Sequence, residues 1–129
     1  MTNDEYLNDV VLKNEQSILH TDNIDRRLLH SIMGIADEAG ELMGAAKKAL
    51  MYNKPLDTVN IIEELGDLLW YFTLAMHSLG VTIEQVQEIN SAKLNGARYK
   101  DGFTHDEAIN RNLSEERSVL EAAVLGIIP

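Results

Sequence analysis

The chain has no cysteine among its 129 residues. Disulfide bridges, thiolate zinc sites and cysteine nucleophiles are therefore excluded. Proline is nearly missing, with only Pro55 and Pro129, and aromatic residues make up just 5%. With Leu, Ala, Glu, Ile and Asn plentiful, this favours helices over a β-sandwich. Basic residues are also scarce: 11 Lys and Arg stand against 21 Asp and Glu, a formal net charge of −10. Such a surface repels a phosphate backbone and anionic lipid, so no nucleic acid and no membrane partner is expected. It would repel a small phosphate-bearing substrate too, unless metal and local Lys or Arg reverse the sign inside a cleft. No apolar run approaches the roughly 18 residues of a membrane span. The segment Met1-Thr2-Asn3-Asp4-Glu5 carries no export pattern, and a cytoplasmic location is expected.

What is present reads as one domain with a single core, 45% of its residues being hydrophobic. Asn3 or Asp4 caps a first helix to about Ser17, with Leu7, Val10, Val11 and Ile18 on one stripe. His20-Thr21-Asp22-Asn23 is a linker ending in a cap. A long helix follows, from about Ile24 to Tyr52, stopped by Asn53-Lys54-Pro55. Asp57 or Thr58 caps a third helix to Leu79, with Gly80 at its end and an apolar face of Ile61, Ile62, Leu65, Leu68, Leu69, Phe72 and Met76. Thr82-x-x-Gln85 opens a fourth helix to about Ala97, with Ile83, Val86, Ile89 and Leu94 inward. Thr104-x-x-Glu107 begins a short helix, and Ser114 begins a last one from Glu115 to Leu125, with an apolar Ile127-Ile128-Pro129 tail beyond it. Short connections make this an all-α, antiparallel four-helix bundle with short extra C-terminal helices. Its core spans about 24–105, and a C-terminal tail covers about 112–129.

The chemistry concentrates in one array. Glu38-x-x-Glu41 is followed after 22 residues by Glu64-x-x-Asp67. Positions three apart lie on one helical face, so two such pairs on facing helices gather four carboxylates into one small volume. Carboxylates so close repel, and all-oxygen ligands call for a hard divalent cation such as Mg²⁺ or Mn²⁺. A lone Glu-x-x-Glu is usually a solvated surface pair. Here the residues four beyond the first pair are Leu42 and Ala45 rather than Lys, and the second pair is embedded in Leu65-Gly66 and Leu68-Leu69-Trp70. Ser31, Gly34, Glu38, Glu41, Ala45 and Lys48 form one stripe of the second helix, and Asn60, Glu64, Asp67 and Tyr71 one stripe of the third. The acids' neighbours are small, leaving room for a ligand or a close helix.

Asn90 and Lys93 fall on the apolar stripe of the fourth helix. A Lys there must pair, meet an anion or snorkel. Arg98, Tyr99 and Lys100 cluster beyond the helix end, where a phosphate tail can lie; taken alone they read as loop charge. Lys48 closes the acidic stripe. His30 borders it within reach of a ligand, although a structural histidine is the commoner case. No Glu-x-x-His pair, Gly-rich phosphate loop or nucleophile elbow occurs. Trp70 and Phe72 read as core or interface; Tyr71 shares the acidic stripe.

The ordered set Glu38-x-x-Glu41, Glu64-x-x-Asp67, Asn90-x-x-Lys93-Leu94-x-x-x-Arg98-Tyr99-x-x-Gly102-Phe103 resembles the MazG-like, all-α nucleoside triphosphate pyrophosphohydrolases, and most of all their small, single-domain, phage-type members. The resemblance covers about residues 25–105. It implies a bundle pairing into a homodimer or homotetramer that hydrolyses (d)NTPs to the monophosphate and pyrophosphate with Mg²⁺. On that likeness Glu38, Glu41, Glu64 and Asp67 match metal ligands, and Asn90, Lys93, Arg98 and Tyr99 match nucleotide and phosphate positions. Some relatives carry a Glu just before the first ligand acid as a base; here Asp37, one methylene shorter, holds that place, and Glu63 is the other candidate. Related readings are a dUTP-specific or phosphoribosyl-nucleotide pyrophosphohydrolase on the same fold. A reading of another class is a non-enzymatic, antitoxin-like oligomeric bundle.

Overall fold

The computed structural model describes residues 1–16 and 18–127, and among these no strand occurs. Helix α1 (Asn3–Glu5) runs on as a wider π-helical stretch, Tyr6–Leu12. Its cap is Thr2, one residue before the expected Asn3 or Asp4. The Thr2 hydroxyl accepts from the Glu5 N–H at 3.2 Å while the Glu5 carboxylate accepts from the Thr2 N–H at 2.6 Å. The two bonds satisfy each other's orphan groups, which a cap at Asn3 would forgo. The expected end at Ser17 lies outside the described residues.

Helix α2 (Arg26–Tyr52) starts two residues after Ile24, because the cap is Asp25 and not the end of the linker. Its carboxylate accepts from the N–H groups of Arg27 and Leu28 at 2.9 and 3.1 Å. A charged acceptor at the positive end of a helix is the stronger cap. The helix closes on Asn53, which takes the left-handed conformation (φ 50) just before Pro55. Helix α3 (Thr58–Leu79) is capped by Asp57 and ended by Gly80 at φ 70, where a β-carbon would be strained. Helix α4 (Ile83–Lys93) carries both bonds of the Thr82–Gln85 capping box. It does not reach Ala97 as a regular helix: Leu94–Arg98 widens into a π-helical turn. Helix α5 (His105–Ile109) is capped by Thr104. Helix α6 (Leu113–Leu125) is capped by Asn112 rather than Ser114, and Gly126 follows it; Ile128 and Pro129 lie outside the described residues.

The packing has two parts. Helices α2 and α3 form a hairpin with the most extensive contact in the chain, and α4 with its π-turn packs on α6. Among the described residues, α1 and α4 touch the hairpin marginally at most. The hairpin closes through the small-residue stripe. Ser31, Gly34 and Ala45 are the buried residues of α2, Glu64 and Leu68 those of α3, and the Tyr71 ring of α3 lies against Gly34. Ser31 keeps its hydroxyl satisfied by donating to the Arg27 carbonyl at 2.7 Å. The ring of Tyr71 lies where a β-carbon of Gly34 would be, so glycine is what lets the helices approach.

This arrangement turns the expected apolar face of α3 outward. Leu68 is buried, but Ile62 (68% exposed), Leu65, Leu69 (54%) and Phe72 face solvent in the single chain, as do Ile32, Met33 and Met43 of α2. Small residues permit a closer approach than branched ones, so the stripe wins the contact inside the hairpin. Among the described residues no helix is long and apolar enough to cross a membrane. Gly34→Ala should therefore cost about 1–3 kcal/mol, because the half-buried Tyr71 ring must leave its place. Urea unfolding followed by circular dichroism measures it, and Gly40→Ala, which meets open space, serves as the control.

Candidate metal centre

The closeness of the helices in the hairpin sets the position of the acids. Glu38 and Glu41 sit on α2 between the contact residues Gly34 and Ala45, and Glu64 reaches across from α3. One carboxylate oxygen from each of Glu38, Glu41 and Glu64 lies within 4.8 Å of the other two. Glu64 is buried, Glu38 is half-buried and Glu41 is exposed, so the cluster has a floor and an open side. Asp67, one turn on from Glu64, stands close enough to press on Glu38 and lines the same cavity, outside the tight triad.

Charge makes this arrangement costly on its own. Desolvation raises the Glu38 carboxyl above its ordinary range, helped by the charges of Asp67, Glu41 and Glu64. The charge of Glu64 raises Glu41, followed by desolvation and by Asp37. None of the ion pairs among the described residues involves the four acids. Among the described residues the one neutral partner is Asn60, whose Nδ2 donates to Glu64 Oε1 at 2.7 Å. That bond holds Glu64 in one orientation and leaves its other oxygen for a ligand. Hard oxygen donors without a counter-charge, converging on a point and oriented from behind, fit a small divalent cation.

A cavity of about 330 Å³ opens beside the cluster, lined by Glu38, Asp67, Trp70 and Tyr71. Its aromatic wall is ordered by edge contacts. Trp70 and Tyr71 meet at 5.0 Å between ring centres, and His30 stands edge-on to them at 6.3 and 5.6 Å. His30 thus packs against this wall without lining the cavity itself. Trp70, read from the sequence as core or interface, is 58% exposed. Asp37 and Glu63 are both exposed; Asp37 acts on Glu41, whereas Glu63 is not among the charges that shift Glu38 or Glu41. Lys48 lies at the exposed end of the stripe.

The expected phosphate-side residues stand apart from the acids within one chain. Asn90 is exposed and Lys93 half-buried on α4, which packs on α6. Arg98 is committed to Glu116 and stacks near Tyr99 (5.7 Å). Asn60 is the residue whose role the sequence left unstated. Its signal was present, since it sits four residues before Glu64 on the same stripe.

Two close helices offering converging carboxylates beside an aromatic-walled cavity define an acidic helical cluster that could hold a metal ion. The chain belongs to the MazG nucleotide pyrophosphohydrolase domain family, whose model matches residues 27–103. Comparison with curated proteins and with solved structures gave no match.

The raised carboxyls fix the sign of a pH effect. Folded chain binds these protons more tightly than unfolded chain, so the stability that Glu38 and Glu41 contribute as protonated groups falls as pH rises above about 4.5 and is gone once they ionise in the folded chain. In chelator, the thermal midpoint should drop over that range more steeply for the native chain than for Glu41→Gln. Millimolar Mg²⁺ should flatten the native profile. Glu116, held far below the usual carboxylate range by Arg98 and Arg111, acts in the opposite sense: it stays ionised in the folded chain while the unfolded chain still binds its proton near pH 4.5, so its contribution grows with pH until the unfolded group ionises, equally in the native chain and in Glu41→Gln.

Proposed function

We propose that the chain is a divalent-metal-dependent nucleoside triphosphate pyrophosphohydrolase, converting a (d)NTP and water to the (d)NMP and pyrophosphate. The observation that carries this reading is the convergence of Glu38, Glu41 and Glu64 without a counter-cation, on a chain of this family. Mg²⁺, or Mn²⁺ in its place, is the ion expected; bound there it would neutralise phosphate charge and acidify a water. Glu38, Glu41, Glu64 and Asp67 hold it, and Asn60 keeps Glu64 aimed.

The remaining work falls to the chain's own groups. The cavity wall of Trp70 and Tyr71 shields the reacting phosphate on one side and limits the water that reaches it. Oxygen of water forms the new bond to the α-phosphorus, and the α–β bridging oxygen leaves with pyrophosphate. Asp37, one residue before Glu38, accepts the proton of that water.

The active form in this reading is a homodimer or homotetramer. Support comes from the outward apolar faces of α2 and α3 and from the cation-free surroundings of the acids. A second copy covers Ile62, Leu65, Leu69 and Phe72, completes the bundle of four helices, and presents Asn90 and Lys93 of its α4 to the phosphates. Light scattering should find no monomer at micromolar concentration, and Leu69→Glu should shift the chain towards monomer.

A nucleotide panel with pyrophosphate readout tests the chemistry. Turnover should require Mg²⁺ and vanish in Glu38→Gln and Asp67→Asn while helical circular dichroism persists. Asn60→Ala should lose about 10–100-fold in metal affinity or activity. Turnover of dUTP alone, or of a phosphoribosyl-nucleotide alone, would narrow the substrate. Absence of turnover with any of them, together with a thermal midpoint indifferent to Mg²⁺, would mean an interaction bundle instead.

A further inference from the structure

Helix α6 lies outside residues 27–103, the segment matched by the family model, yet it is tied to that segment by buried charge. Glu116 is 4% exposed. Arg98 donates to it through Nε at 2.8 Å and Nη2 at 2.7 Å. Arg111 donates to the same two oxygens at 3.2 and 2.6 Å. Alongside, Lys100 donates to Glu115 at 2.7 Å. A cavity of about 210 Å³ borders these cations, lined by Arg98, Lys100 and Arg111 with Asn110, Asn112, Glu107 and Ala97.

Two guanidinium forks on one carboxylate make a geometry that suits any planar or tetrahedral oxyanion. Charge does not balance around Glu116 itself: two fixed positive charges, Arg98 largely buried and Arg111 40% exposed, meet one buried negative charge. A carboxylate with a single charge is the weaker occupant of such a seat; a phosphate or pyrophosphate oxyanion carries more charge and more acceptor oxygens. The carboxylate holds the seat because the chain delivers it, at high effective concentration, on the first turns of α6.

We infer that Arg98, Arg111 and Lys100 form an oxyanion seat that the chain fills with its own Glu116 and Glu115, making α6 a strap that competes with phosphate-bearing ligands for these cations. With the strap closed, α6 is docked on α4 and the π-turn, and Arg98 is withheld. With an inorganic oxyanion in the seat, α6 is released from its anchor. The strap uses no metal, so it can be tested apart from the acidic cluster.

The experiment is done in chelator with inorganic pyrophosphate as the probe. Glu116→Gln should lower the thermal midpoint by about 10 °C, since two cations lose their anion. Pyrophosphate at millimolar concentration should restore about half of that loss, and should raise the native chain less. The double variant Arg98→Ala with Glu116→Gln should show no restoration. Equal response of the native chain and Glu116→Gln, or restoration that survives loss of Arg98, overturns the inference. Should Glu116→Gln fail to fold, hydrogen exchange on the native chain decides. Pyrophosphate should then speed exchange across 113–125 and leave α2 and α3 unchanged; no change across 113–125 overturns it.

Discussion

Everything at the candidate site depends on how near α2 and α3 come to each other. That separation is set by Ser31, Gly34 and Ala45, which offer almost no side-chain bulk at the contact. Bring the helices to this distance and Glu38, Glu41 and Glu64 must share a space in which they repel. Replace the small residues with branched ones and the acids separate into ordinary surface charges. The fold thus stores an electrostatic cost at one place, which a bound cation would relieve. Burial of Glu64 and its bond to Asn60 keep that acid from escaping by rotamer change.

The same contact explains the exterior. A helix has one circumference, and giving the close approach to the small stripe leaves the leucine and isoleucine face pointing elsewhere. In α3 these faces lie side by side, with Glu64 and Leu68 inward and Ile62, Leu65 and Leu69 outward. Apolar surface this extensive on adjacent helices is the kind that interaction sites present. The crowded acids and the outward apolar face are two consequences of one helix-pairing choice.

Local signals were legible in the sequence wherever the physics is local. Asp57, Thr82, Thr104 and Gly80 cap or end helices where their side chains or backbone freedom require. The acid array was legible because a spacing of three on a helix is geometry. The choice of face was not, because the small stripe and the apolar stripe repeat with the same period, and only docking separates them. Asp25 was missed as a cap because Asn23 offered a plausible one nearer the linker. The Arg98–Glu116 pair could not be read either. Its partners are 18 residues apart with a loop and a short helix between them. From sequence, Arg98 belonged with phosphates, and the structure shows which anion of the chain already holds it.

The chain contains a single tryptophan, and it forms part of the cavity wall beside Glu38 and Asp67. Its indole is partly open to water, with Tyr71 and His30 standing against it. Its emission therefore comes from one place only, and that place is next to the acids. The molecule carries its own fluorophore at the mouth of the site, so occupancy by ion or nucleotide can be followed by intrinsic fluorescence, with no label attached.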